Sequence, residues 1–320
     1  MTAVAAPATR PAPPPRSSSS TSVSSRARWA RRVPLLPALI FMVIVTQLPF
    51  VITIVISFID WNALYPTDVH FGFLDNYIAV FANAALRTSL LTTILLTVTV
   101  VLVSAVLGML IALLLDRKFL GRGIVRTIMI APFLIVPVAA ALVWKHALLN
   151  PSYGLFDGLL TNIWGVFGQA QHAPQIDWIA TGPLLSVEAA LIWQWTPFMM
   201  LIMLAGLQSR PLDVIEAARV DGASALQIFR YMTFPHMRQY IELAITLGAI
   251  YIVQNFDAVF TITSGGLGTA NLPFSIYQEF FLGHDYGGAS ATGVIVVIGT
   301  IVIATFALRT VSGLLKEESA

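Results

Sequence analysis

The chain has 320 residues, no cysteine, 18 Lys and Arg against 16 Asp and Glu, and a formal net charge of +2. At 57% hydrophobic and 11% charged, with a mean hydropathy of +0.80, it is too apolar for an ordinary soluble domain and points to a bilayer as its solvent. So small a net charge argues against a nucleic-acid partner, and the lack of cysteine excludes a disulfide framework, a thiolate nucleophile and a cysteine metal site.

The opening residues are rich in Pro, Ser, Thr and Ala, with too little apolar surface to offset the entropy of ordering, so residues 1–32 read as a disordered cytoplasmic tail. The apolar run that follows is too long for a secretory signal and no A-x-A-like site comes after it, so it reads as an anchoring span. A crossing helix needs about 20 mainly apolar residues. Runs of that kind predict spans over residues 33–59, 88–115, 124–144, 186–208, 241–263 and 286–308, the fifth interrupted by Glu242 and Asp257. The expected fold is an all-α polytopic membrane protein with six transmembrane helices, a cytoplasmic loop over residues 209–240 and a cytoplasmic tail over residues 311–320.

With the N-terminus inside, all of the 18 basic residues except Arg87 and Lys145 fall on inner segments. Lys and Arg in short flanking loops set orientation, so both termini are expected in the cytoplasm. The outer segments carry Asp60, Asp68, Asp75, Asp157, Asp177, Glu279 and Asp285, together with Trp61, Tyr65, Tyr77, Trp164 and Trp178. These aromatics suit an interfacial belt, and some suit contact with a docked outer partner.

The inner loop after the fourth span reads "SRPLDVIEAARVDGASALQIFRYMTFPHMRQY". Its punctuation predicts two short helices: Ser209 as a cap, Pro211 in the first turn, Gly222 as a left-handed stop, Ser224 opening the second helix and Pro235 ending it. Leu212, Ile215 and Arg219 fall at helical spacing on one side, while Asp213, Glu216 and Val220 share a neighbouring face. A helix lying on the inner leaflet usually has a polar face rich in Lys and Arg. This one carries Asp213, Glu216 and Asp221 beside Arg219, a mixture that suits a protein partner better.

Glu216, Ala217 and Ala218, then Gly222, then Met232, Phe234 and Pro235 resemble the E-A-A-x3-G-x9-I-x-L-P signature of permease subunits of binding-protein-dependent ATP-binding-cassette importers, with Met232 and Phe234 departing from its Ile and Leu. The resemblance runs from Pro34 to the last span. It implies that the loop holds a coupling helix seated in a cleft of a cytoplasmic ATPase, with Glu216 paired to a base, the two alanines allowing close approach and Gly222 making the bend. It also implies a second permease subunit, two ATPase subunits and an extracytoplasmic solute-binding protein. No phosphate-binding loop occurs here, since the glycine-rich "TSGGLGTAN" lacks a G-K-[ST] ending, so ATP and Mg are expected on the partner ATPase and no cofactor on this chain. Catalysis by this chain is not expected, the five histidines being scattered.

Polar groups inside a bilayer are functional suspects because hydrocarbon penalises them. Gln194, Trp195 and Phe198 in the fourth span, and Gly248, Tyr251, Gln254 and Asn255 in the fifth, are candidates to line a substrate path. Aromatic planes with amides suit a neutral polyhydroxyl solute, and amides serve equally well as helix-to-helix glue at about 0.6 kcal/mol a contact. Gly248, Tyr251 and Asn255 would share one face of a continuous helix. Asp257 is expected at the outer water boundary, and Glu188 and Glu242 are expected to be solvated near span ends.

"NFDAVFTITSGG" and "HDYGGASATG", with Tyr277 and Phe281 between them, look like the last two spans of carbohydrate-type permeases for sugar alcohols and small sugars, although Leu267 stands where the family has a proline. The alternative is an ion-coupled secondary carrier of a small polar solute, against which the two halves show no repeat. A channel would need a charge ring or a carbonyl filter, and neither is legible.

Overall fold

The computed structural model describes residues 33–314; the tail expected over residues 1–32 and residues 315–320 of the C-terminal tail lie outside them. The chain divides into two units after Val51. The described part of the first is a 3-10 turn (Val33–Leu35) and the opening of α1 (Leu36–Ile56), a helix without a single charge. Thr46 hides its hydroxyl there by donating to the Met42 carbonyl at 2.7 Å, and Pro49 removes one bond from the ladder.

After α1 the second unit continues with a short antiparallel ladder of β1 (Ile59–Asp60) and β2 (His70–Phe71), the one two-stranded sheet among the described residues. There follow α2 (Asp75–Ala82) and the 33-residue α3 (Ala84–Asp116), whose first turn is capped by Asn83 accepting from the Ala85 amide. Next come α4 (Arg122–Leu134), α5 (Pro137–Leu142) running on as a π-helical turn Val143–Leu148, α6 (Leu155–Val166), α7 (Trp178–Thr181) and α8 (Pro183–Gln208). The remainder is α9 (Leu212–Val220), α10 (Ala225–Ile228), a π-helical turn Phe229–Thr233, α11 (Phe234–Val253), α12 (Asp257–Ile262), α13 (Leu272–Tyr277), a third π-helical turn Gln278–Leu282 and α14 (Tyr286–Leu314).

Among the described residues, α1, α3 and α8 are long and apolar enough to cross a membrane, and the stretches Arg122–Leu134 and Pro137–Leu148 make a fourth if taken as one broken span. That pair corrects the continuous helix expected over residues 124–144, because its two arms are bent by 97°. Ile135 and Val136 are extended, and Val136 precedes Pro137, whose ring pushes the residue before it out of the helical region. The helix expected over residues 241–263 likewise starts earlier, at Phe234, and stops at Val253, with Gln254 to Phe256 forming a break before α12.

The core is the seam between α3, α8 and α11. On α3 the buried positions Ser89, Thr93, Leu96, Val100, Ser104, Gly108 and Ala112 recur every three or four residues, a stripe that becomes small towards the Asp116 end. A Cβ on Gly108 would sit 2.8 Å from the Met200 backbone nitrogen, so glycine is what lets α3 and α8 approach. Met199, Met200, Met203, Leu204 and Met237 fill the space between the three helices with no measurable or almost no exposure. Leu272 donates its amide to Thr93 at 2.9 Å and Ser275 its hydroxyl to Ser89 at 2.9 Å, which fastens the segment after α12 to the start of α3.

Candidate functional site

The loop between α8 and α11 is built from three local devices. Gly222 lies at φ +85, a left-handed conformation that ends α9, and the Ala223 amide donates back to the Ala218 carbonyl at 2.9 Å. Ser224 opens α10 with a reciprocal capping box to Gln227. Pro235 does not end that helix as its position in sequence suggests. The π-helical turn just before it carries the chain without interruption into α11, its wider i→i−5 bonding accommodating the amide that proline lacks.

Ser209 also differs from expectation, since the residue before α9 is Pro211 and no side chain caps it. The Ser209 hydroxyl instead meets the Tyr240 hydroxyl at 2.7 Å and His236 Nε2 at 3.0 Å, joining the end of α8 to α11. At the root of the loop lies a clamp that sequence reasoning did not find. Arg210 Nη2 donates to Asp116 Oδ2 at 2.5 Å, its Nη1 to Thr233 Oγ1 at 3.0 Å and its Nε to the Leu207 carbonyl at 2.8 Å. One guanidinium thus holds the ends of α3 and α8 against the π-helical turn, and with 94 residues separating Arg210 from Asp116 no local pattern announces it.

Beyond this root the loop is open. Glu216 and Ala217 are exposed, Ala218 is half-buried, and only Ile215 of α9 is buried. Val220 is 87% and Leu226 74% exposed, with Leu212 and Tyr231 also uncovered, so α9 and α10 present an apolar surface edged by the exposed carboxylates of Asp213, Glu216 and Asp221. An added Cβ on Gly222 would meet nothing within 4 Å, which leaves that bend accessible.

The candidate lining residues separate into two groups. Trp195 and Phe198 come together with Tyr251: Trp195 stacks on Tyr251 at 5.4 Å and meets Phe198 edge-on at 5.6 Å, and Phe133 of α4, not anticipated, packs on both at 5.7 and 5.2 Å. Tyr251 remains 56% exposed, so the cluster opens to the surface of this chain. The other four lie elsewhere. Gln194 is buried, and its amide donates at 3.2 Å to the Ile135 carbonyl, satisfying the acceptor that the α4–α5 break releases. Gly248 faces Met199 in the packing of α11 against α8. Gln254 caps α11 and is exposed, and Asn255, beyond the helix end, accepts from the Ala258 amide at 3.3 Å while its carbonyl receives the Asn271 amide. The shared helical face expected for Gly248, Tyr251 and Asn255 therefore ends at Val253.

Two carboxylates expected in water are not there. Glu188 is only 7% exposed, and Glu242 is half-buried and accepts from Arg238 Nε at 2.9 Å. Near the start of α3 a cavity of about 380 Å³ is lined by Asn83, Thr88, Ser89, Ser275, Gln278 and Glu279. Burial pushes the Glu279 carboxyl above its usual range, with the hydrogen bond from Thr292 opposing and nearby Asp285 adding to the rise. Leu267 takes φ +55, flanked by Gly265 and Gly268 at positive φ. Proline, fixed near −65°, has no access to that conformation, so the loop of this chain is built for a different residue there.

Residues 104–314 match the family of binding-protein-dependent transport system inner membrane components. The chain is 35% identical over 272 residues to the probable ABC transporter permease protein y4oQ of Sinorhizobium fredii, covering 84% of this chain and 85% of that one. It is 31% identical over 268 residues to the trehalose/maltose transport system permease protein MalF of Thermococcus litoralis, covering 82% and 87%. A chain of the bacterial alginate ABC transporter, solved with an alginate pentasaccharide-bound periplasmic protein, shares the fold at a TM-score of 0.76 and 22% identity, over 91% of this chain and 96% of that chain.

Proposed function

The chain belongs to the binding-protein-dependent transport system inner membrane components, and from that membership we propose that it is the permease subunit of an ATP-driven importer of a carbohydrate, a small sugar or a sugar alcohol. Six helices cross the membrane with both termini cytoplasmic, and the fifth and sixth crossings are α11 and α14. A second permease subunit, two ATPase subunits and an extracytoplasmic solute-binding protein complete the assembly. The observation that carries the reading is α9: a short helix whose acidic and apolar residues are turned outward, held at its root by Arg210 and stopped by a left-handed glycine.

Transport follows alternating access. ATP binding closes the ATPase pair, the coupling helices are drawn together, and the movement passes through the Arg210 clamp and the π-helical turn into α8 and α11. Hydrolysis resets the assembly, and the different affinities of solute and nucleotide for the two states give the cycle its direction. For the solute, the supporting feature is the Phe133, Trp195, Phe198 and Tyr251 cluster, whose flat apolar faces suit the C–H face of a sugar ring. The trehalose/maltose relative supports the same class.

Uptake into vesicles carrying the whole assembly tests the mechanism against an ion-coupled carrier. Accumulation is expected to stop with vanadate and to survive an uncoupler. Accumulation that collapses with the uncoupler and ignores vanadate contradicts the reading.

A further inference from the structure

We propose that the cavity between the inner end of α3, the first turns of α4 and the coupling helix α9 binds the phosphate-bearing headgroup of an anionic lipid from the inner leaflet. The inference rests on the orientation proposed above. The cavity measures about 880 Å³. Asp116, one of its two carboxylates, is engaged by Arg210. That leaves Arg117, Lys118, Arg122, Arg126 and Arg219 facing Glu216 alone, and none of these five makes an ion pair or a side-chain hydrogen bond among the described residues.

Arg122 and Arg126 call most strongly for an anion. They stand one turn apart on the same face of α4 and both are half-buried. Like charges at that spacing repel, and partial burial sharpens the repulsion, so the pair asks for an anion between its members. The helix that carries them starts at Gly121 with no side-chain cap, and its positive end adds to the same field.

The remaining wall distinguishes a lipid from a free phosphate ion. Leu207, Leu212, Ile215 and Ile228 line the cavity beside the cations. A hydrated phosphate gains nothing from that apolar side, whereas the glycerol and first methylenes of a phospholipid do. The turn between α3 and α4 carries Phe119, 44% exposed, and Leu120, 102% exposed, between two pairs of cations, an arrangement that seats its apolar tip in the acyl boundary with the charges at headgroup level. Because the same cavity borders Glu216 and Arg219, lipid charge acts directly on the helix through which the ATPase is coupled.

Photoactivatable phosphatidylglycerol in phosphatidylcholine vesicles holding the complete transporter tests this. Labelling mapped by mass spectrometry is expected on residues 117–126, with a roughly tenfold loss in Arg122→Gln/Arg126→Gln and retention in Arg122→Lys/Arg126→Lys. Excess inorganic phosphate should not compete. Labelling equal in the glutamine and lysine variants, displacement by inorganic phosphate, or labelling that appears only after the ATPase subunits are stripped away overturns the proposal. The readout needs no transport, so its failure leaves the coupling role of α9 standing, and loss of that role leaves the lipid result standing.

Discussion

A Glu216→Lys chain inserts, folds and assembles its outer face normally, yet ATP-driven uptake falls by about a hundredfold or more. The expectation follows from what Glu216 does not do inside its own chain. It is exposed and accepts no hydrogen bond among the described residues, and at the open rim of the cation-lined cavity water screens the added charge, so the substitution should cost little stability. If its partner is a base in an ATPase cleft, reversing the charge sets two cations together in a closed, partly desolvated contact, where like-charge juxtaposition is most costly. Glu216→Gln, which keeps the shape and removes only the charge, should lose far less. Thermal melting in detergent separates the readings: an unchanged melting temperature with abolished uptake is the predicted pair. Normal uptake by the lysine variant removes the coupling assignment.

Arg210→Met should act on both stability and coupling. The guanidinium is 14% and its Asp116 partner 25% exposed, so this pair is neither a surface ion pair of negligible worth nor a fully buried one. Removing it deletes three charge-assisted hydrogen bonds and leaves Asp116 half-covered with no cation in place. A loss of about 2–3 kcal/mol is expected, discounted for the solvent that still reaches Asp116. Because the same side chain ties the end of α8 to the π-helical turn, the melting temperature should fall and ATP hydrolysis should continue without responding to the loaded solute binder. In a double-mutant cycle, Asp116→Asn on the Arg210→Met background should cost little more than Arg210→Met alone. Strict additivity would show that the two side chains do not act together.

Much of the helical layout is legible without the structure, for reasons that are local. A charge-free run such as the one that becomes α1 has few ways to avoid a bilayer, and the left-handed Gly222 and the start of α10 at Ser224 follow from short-range chemistry. The breaks are harder. Pro137 signalled the bend in the third expected span, but the apolar character of residues on both sides concealed it, and hydropathy does not register direction. Pro235 misleads for the opposite reason: a π-helical turn, which composition does not encode, absorbs the missing amide. Arg210 with Asp116, and Phe133 with Trp195, are meetings of distant segments that no spacing rule reaches. The chemistry of Gly248 and Gln194 suits a solute path, but their surroundings assign them to packing against Met199 and to the Ile135 carbonyl.

The absence of cysteine allows the most direct trial of the coupling helix. A photoactivatable diazirine is attached to a single cysteine placed at Ala217, which is exposed beside Glu216, before the subunits are assembled. Illumination of the assembled, transporting complex should join this chain to an ATPase subunit, with a yield that changes when ATP is bound. Adducts to lipid or solvent alone, in an assembly that still accumulates solute on ATP, would mean that the motor takes hold of the permease somewhere else.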